Sequence, residues 1–482
     1  MSSNRDSDYK PLPLKETISA LPPERPGIRA QIRSILDKYD PEAPKLVILD
    51  DDPTGTQTCH DIAVLTVWDI PTLTNEFISS TGGFFILTNS RAFPPAEVRP
   101  LLMKICENLK IAATAAGKVF EVVLRGDSTL RGHFPLEPEI VEEVFGKVNA
   151  WVLAPFFYQG GRYTIDDVHY VLEKDALVPA GQTPFASDAS FSYRSSNLRD
   201  YIQEKAPGKF KPENMVSITL DDIRRGGPTE VEKKLLSLNT GSIVIVNAAA
   251  ESDMDIFSAG LLAAESRGSK FLFRTAAAFV SSRLGIIPKP PMSAQDLDFS
   301  HDHNVSGGLI IAGSYVPKTT TQLGKLISCR GDKLRVLELN AATLITEDEA
   351  EDLIRRTADT ASTELAAGND VLIMTSRELV KGHDALSSLG IGSFVAAALV
   401  KITQQISTRP RYIIAKGGIT SSDVATKALG MKRAMVLGQA APGVPLWRCD
   451  EESSRYPGVP FVVFPGNVGG DDALAEIVES WS

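Results

Sequence analysis

The stretch KLVILDDDPTGT, residues 45–56, decides how this chain is read. Lys45 to Leu49 is a short, mostly apolar run that breaks into three aspartates, a proline and a Thr-Gly turn. A strand buried on both faces reads as a continuous apolar run, and in a parallel sheet its carboxyl end opens onto the ligand-binding edge. The pattern therefore predicts a central parallel strand feeding a loop that carries chemistry. The same signature recurs at GFFILTNS (83–90), VFEVVLRGDS (119–128), AWVLAPFF (150–157), SIVIVNAA (242–249) and FLFRTA (271–276). Amphipathic stretches such as Pro95 to Ala116 lie between several of them, as expected when strands alternate with helices.

Working outward, residues 1–44 are Pro-rich and charged, with one helix predicted over roughly Arg25 to Asp40; they read as an extension. Residues 286–307 carry prolines and charges without a sustained period, as a linker would. The strand pattern then restarts at GLIIAGSY (308–315), KLRVLELN (333–340), DVLIMTSR (370–377), RYIIAKGG (411–418), RAMVLG (433–438) and PFVVFPGN (460–467). A helix over Glu347 to Leu365, capped by Thr346, is among the clearest. The fold class predicted is α/β: two α/β domains, 45–285 and 308–482, each with a mostly parallel sheet flanked by helices.

Composition narrows the function. Of 482 residues, 43% are hydrophobic and 23% charged, ordinary values for a globular protein. Fifty Lys plus Arg against 60 Asp plus Glu leave a net charge of −10, which disfavours nucleic acid as the main partner but not a small anion met by a local arginine cluster. Cys59, Cys106, Cys329 and Cys449 are far apart with no C-x-x-C pair, arguing against a zinc site or a disulfide framework. The polar N-terminus lacks a signal-like apolar region, and no membrane-length apolar run occurs. A cytoplasmic protein with no membrane partner is expected; homo-oligomer formation is left open.

The strand ends hold unusual residues. The first loop offers Asp50, Asp51 and Asp52, then Thr54 and Gly55. Three adjacent carboxylates repel, so at least one should meet a cation, an arginine or a substrate hydroxyl; a plain capping turn is the alternative. The next two strands end in Asn89-Ser90-Arg91 and in Arg125-Gly126-Asp127-Ser128-Thr129-Leu130-Arg131-Gly132-His133. Arginines flanked by glycines and hydroxyls make a fork for a carboxylate or phosphate, or else a surface ion-pair patch. Phe156-Phe157-Tyr158 runs into Gly160-Gly161-Arg162, a pocket wall or a core cap. His60, His133 and His169 fit no metal-ligand spacing. In the second domain, Gly313-Ser314-Tyr315, Lys416-Gly417-Gly418 and Gly466-Asn467-Val468-Gly469-Gly470 suit close approach of phosphate to backbone N–H groups, although none is a Walker A loop or a G-x-G-x-x-G.

One alternative starts from Asp50-x-Asp52-x-Thr54, which fits the nucleophile and acid/base pattern of haloacid-dehalogenase-type phosphatases, with FILTNS (85–90) as a second phosphate-gripping motif. It needs a further acidic pair for magnesium, for which Asp221-Asp222 is the one candidate, and it leaves the second domain unexplained. A non-enzymatic sugar-acid-binding protein would need the arginines but not the Gly-rich loops.

LDDDPTGTQT, NSRAF, LRGDSTLRGH, LAPFFYQGGRYT, AGSY, KGGIT and PGNVGG, in that order, resemble the four-carbon acid sugar kinase family over roughly residues 45–480. The resemblance implies an N-terminal sugar-acid-binding domain, a C-terminal nucleotide-binding domain, and transfer from ATP, with Mg2+, to acids such as threonate, erythronate or 3-oxo-tetronate. Family elements fall on Asp51, Asp52, Thr54 and Gly55; on Asn89, Ser90 and Arg91; and on Arg125 to Gly132. In the nucleotide domain they fall on Ser314, on Gly417 and Gly418, and on Pro465 to Gly469. Asn89, Arg125, Pro465 and Val468 depart from the family's Asp, Lys, Ser and Phe. On this reading Arg91, Arg125 and Arg131 hold the acid's carboxylate, and Asp127 and Ser128 bind its hydroxyls. Asp52, in preference to Asp51, serves as base. Asp51 and Gly126 complete the sugar site, and Ser314, Gly417, Gly418, Gly466, Asn467, Val468 and Gly469 bind the nucleotide.

Overall fold

In the computed structural model the described residues are 9–37, 43–79, 82–297, 299, 306–314, 316–340, 343–345, 347–376, 385–450 and 452–481. Thr346, expected as a helix cap, and Tyr315 lie outside them. The chain is α/β and divides into two compact units. The first comprises Met1–Cys59 and Val67–Pro288, the second His60–Thr66 and Lys289–Ser482.

The first unit is built on seven parallel strands in the order Met215–Ile218, Ser242–Val246, Ala150–Ala154, Phe271–Thr275, Phe120–Arg125, Lys45–Asp50 and Gly83–Leu87. Lys45–Asp50 is buried at every residue, which is why it reads as a run and not an alternation. Gly83 is there because its neighbour is close: a Cβ would lie 2.3 Å from the Leu46 carbonyl oxygen. The helix Pro95–Ala116 forms where its sequence marks it. Proline stands in the first turn, and Val98, Leu102, Ile105, Leu109 and Ala112 bury one face at helical spacing. Gly117, left-handed at φ 63°, ends it.

A second sheet, antiparallel, runs Leu12–Pro13, Ala176–Pro179, Val168–Glu173 and Arg162–Ile165. It was not expected; its strands are four to six residues long apart from the two-residue first, too short for periodicity to reveal. The N-terminal stretch is stitched to this unit. Arg29, in the helix Ile28–Asp37, pairs with Asp255 at 2.5 Å and Glu251 at 3.2 Å, and donates to the Ile286 carbonyl at 3.0 Å. Buried Arg224 donates to the Pro22 carbonyl at 2.7 Å and forms a two-pronged pair with Asp253 at 2.7 and 2.8 Å.

The second unit orders its strands Ile62–Leu65, Arg433–Ala441, Val444–Cys449, Pro460–Phe464, Ile413–Lys416, Leu309–Ala312, Asp370–Thr375 and Leu334–Leu339. The last five run parallel, while Ile62–Leu65, Arg433–Ala441 and Val444–Cys449 pair antiparallel to their neighbours. The Pro-rich stretch drawn as a linker carries contacts of its own in this unit. Met292 bonds through its amide to the Gln439 carbonyl at 2.8 Å, and the Phe299 ring lies 6.1 Å from Trp481. Among the described residues no helix is long and apolar enough to cross a membrane.

Candidate active site

In the first unit, the sequence-selected residues converge at the carboxyl ends of Lys45–Asp50, Gly83–Leu87 and Phe120–Arg125. They form a chain of ionic contacts. Arg125 pairs with Asp50 at 3.2 Å and Asp51 at 3.8 Å; Arg91 pairs with Asp52 at 2.5 Å and Asp127 at 3.4 Å. Arg131 pairs with Asp127 at 2.7 Å and Asp188 at 3.5 Å. The three arginines expected to meet a substrate carboxylate are thus each engaged by aspartates.

The three neighbouring aspartates differ sharply. Asp50 lies beneath Gly55, where a Cβ would stand 1.9 Å from its Oδ2, and burial pushes its pKa up to about 8 against the pull of Arg125. A carboxyl so covered and so weakly acidic is a poor nucleophile. Asp52 caps the turn Pro53–Thr56, accepting from the Thr54 amide at 2.9 Å and hydroxyl at 2.6 Å. Burial alone would raise its pKa, but Arg91 and Thr54 hold it below the usual carboxylate range. Asp51 is 3% exposed, and both its carboxylate oxygens are buried without a hydrogen-bond partner. Both oxygens therefore keep unused acceptor capacity.

Arg274 is the site residue that sequence reasoning passed over. It comes from the strand Phe271–Thr275 and lies 3.8 Å from Asp51 while donating to the Arg131 carbonyl at 3.0 Å. The signal was an arginine inside an apolar strand, FLFRT. Gly126 and Gly132 make room for it, since a Cβ would fall 0.9 Å and 2.5 Å from its guanidinium nitrogens.

The loop after Phe120–Arg125 is held by its carbonyls. Ser128 O accepts from His169 Nε2 at 2.7 Å, Thr129 O from the Tyr193 hydroxyl at 2.8 Å, Leu130 O from the Tyr201 hydroxyl at 2.9 Å, and Arg131 O from Arg274. Because a carbonyl only accepts, His169 carries its proton on Nε2, and Nδ1 takes the Thr164 hydroxyl at 3.0 Å. Burial lowers the His169 pKa to about 4, so the ring is neutral at physiological pH. His133 sets Nε2 between the carbonyls of Ser90 and Phe93 at 3.1 and 3.0 Å. Asp222 accepts from Thr219 and Lys234, ordinary turn and ion-pair work. Among the described residues no three His, Cys, Asp or Glu side chains gather to hold a metal ion.

In the second unit, three loops meet at the carboxyl ends of adjacent strands Leu309–Ala312, Ile413–Lys416 and Pro460–Phe464. A Cβ on Gly417, at φ 111°, would stand 3.0 Å from the Ser314 Cβ, and one on Gly466 3.5 Å from the Ser314 hydroxyl. Gly418 opens the short helix Gly418–Asp423. Gln322 secures the last loop, bonding the Val468 carbonyl at 3.1 Å and the Gly470 carbonyl at 2.8 Å, and Lys318 bonds the Gly469 carbonyl at 3.0 Å. Asn467 sits in that loop between Gly466 and Val468. Lys416, fully buried, donates to the Pro465 carbonyl at 2.5 Å, and burial, with the charge of Lys318, lowers its pKa to about 7. The loop with proline in place of serine is therefore anchored from below.

Comparison with known proteins agrees with this division. Residues 46–283 match a sugar-binding N-terminal domain, and residues 309–474 a nucleotide-binding C-terminal domain. Among solved structures, a Salmonella typhimurium LT2 protein provisionally described as a tRNA synthase shares 14% identity at a TM-score of 0.65, covering 89% of this chain and 98% of its own. A Haemophilus influenzae protein shares 16% identity at a TM-score of 0.57, covering 90% of this chain and 99% of its own. At such identities these likenesses speak for the fold alone. No curated protein matches the chain.

Proposed function

The chain belongs to the four-carbon acid sugar kinase family, and on that premise we propose that it transfers the γ-phosphoryl group of ATP to a hydroxyl of a small, four-carbon sugar acid. The observation that carries this reading is Asp51, a buried carboxylate with two partnerless oxygens at the edge of an arginine-rich sheet end. Phosphoryl transfer asks little covalent chemistry of a protein beyond positioning, charge neutralisation and a group to orient the attacking hydroxyl.

We place the orienting base at Asp51, where the sequence alone favoured Asp52. Asp52 is committed to Arg91 and Thr54, whereas Asp51 has capacity to accept a hydroxyl proton. Arg125 and Arg274, each 3.8 Å from Asp51, place positive charge on either side of it. Asp127 and Ser128, on the pinned loop, would receive further hydroxyls. The second unit would hold ATP in the cradle of Ser314, Gly417, Gly418 and Gly466 to Gly469, where a side chain at Gly417 or Gly466 would crowd Ser314. Mg2+ would accompany the nucleotide's phosphates and neutralise part of their charge.

The phosphatase alternative loses support from Asp50, which is covered by Gly55 and too weakly acidic to attack. The test is ATP consumption with threonate, erythronate, 3-oxo-tetronate and branched 3-oxo acids, beside phosphate release from phosphosugars. Asp51→Asn should lower kcat by on the order of 100-fold or more while acid binding persists. Phosphate release without acid-dependent ATP use, or full turnover in Asp51→Asn, would reject the scheme.

A further inference from the structure

Among the described residues of the first unit, one buried arginine at the site is left unmatched by any carboxylate. Arg162 opens the strand Arg162–Ile165 after the Gly160-Gly161 turn and is 9% exposed. Its backbone is satisfied, N–H to Phe157 O at 2.9 Å and C=O from Phe157 N at 3.1 Å. Its side-chain Nε is buried with no hydrogen-bond partner. Among the described residues Arg91, Arg125, Arg131 and Arg274 each face an aspartate; Arg162 has no carboxylate within ion-pair distance. What it has is the Phe185 ring, 5.5 Å away, shared with Arg131 at 5.2 Å. Burial lowers the Arg162 pKa and Arg131 pushes the same way, with Asp127 opposing. The nearby His169, its pKa lowered by burial, adds no second positive charge.

An isolated buried charge is costly, and a guanidinium's planar fork matches a carboxylate through two parallel hydrogen bonds. The remaining members of the cluster are already paired, so a carboxylate arriving from outside gains most at Arg162. We propose that Arg162 receives the substrate's carboxylate and makes the first unit selective for acids over the matching neutral sugars. This rests on the sugar-acid reading above and deepens it. It moves the acid's anchor from Arg91, Arg125 and Arg131 to the antiparallel sheet, with Asp127, whose charge acts on Arg162, lying toward the hydroxyls. Phe185 then serves as a shared apolar floor that keeps both guanidinium planes fixed.

Calorimetric binding without nucleotide tests this on the full chain, using four-carbon aldonic acids, the corresponding alditols and the lactones. The wild type should prefer acids. Arg162→Gln should weaken acid binding by on the order of 30-fold or more, leave alditol binding unchanged, and leave the unliganded melting temperature equal or higher, because no partner is orphaned. Arg162→Lys should keep part of the acid preference. Acid binding undiminished in Arg162→Gln, or an acid preference abolished by Arg131→Gln alone, would overturn the assignment while leaving a sugar-acid kinase intact. A folded wild type that binds no acid would overturn both readings at once.

Discussion

Gly126→Ala probes the site through a single methyl group. The backbone at 126 is not in the left-handed region, so alanine itself is tolerated there. The new Cβ would sit 0.9 Å from Arg274 Nη1, 1.8 Å from Cζ and 2.3 Å from Nη2, so the guanidinium must leave. Arg274 is 7% exposed. It would surrender the bond to the Arg131 carbonyl and its place beside Asp51. A hydrogen bond from a charged donor is worth about 1.5–3 kcal/mol, and forcing extra volume into a packed region costs about 1–3 kcal/mol. The sum, about 2.5–6 kcal/mol, should lower the first unit's melting temperature by roughly 10 °C. Calorimetric unfolding of Gly126→Ala, Arg274→Ala and the double variant separates the causes. With Arg274 gone there is nothing for the methyl to displace, and Gly126→Ala should then cost within about 0.5 kcal/mol of nothing. An equal cost in both backgrounds would refute the close-approach account.

Three further outcomes follow from the same geometry. Arg131→Met should raise the apparent KM for the acid, since Arg131 orders Asp127 and lies on the Phe185 ring with Arg162; an unchanged KM in steady-state assays would remove it from the acid site. The buried Lys416 ammonium has its folded-state pKa lowered to about 7, so the unfolded chain binds the extra proton more readily between about pH 7 and pH 10. The second unit should therefore gain stability as pH rises through that window, and Lys416→Met should flatten the trend in thermal melts. Arg29→Ala leaves Asp255 and Glu251 short of a buried partner and should destabilise the first unit by about 3–5 kcal/mol in urea titrations.

What the sequence disclosed and what it hid divide along physical lines. Lys45–Asp50 and the other buried parallel strands were legible because burial on both faces writes itself as an apolar run, and their carboxyl ends located Asp51, Arg91, Arg125 and Arg131. The ion pairs among those residues were not legible, because pairing depends on rotamers and neighbours rather than on spacing. Arg274 stayed hidden for a different reason: it reaches the cluster from a strand far along the chain and does not lie in an obviously polar loop. The N-terminal stretch looked like an appendage because its prolines and charges mask contacts such as that of Arg29 with Asp255, 226 residues away.

The strand Ile62–Leu65 carries a consequence for how the protein can be made. It belongs to the second unit, yet lies between two segments of the first, and its partner is Arg433–Ala441. During synthesis it therefore emerges roughly 370 residues before the strand it pairs with, a wait of about 20–70 s at ordinary elongation rates. The ribosome delivers the first piece of the second unit before most of the first, and that unit is completed last. A gene cut at the apparent boundary near residue 288 would yield a second half missing one strand, with the Arg433 to Val436 edge left open to other chains. The two halves are distinct as folded bodies but inseparable as reading frames.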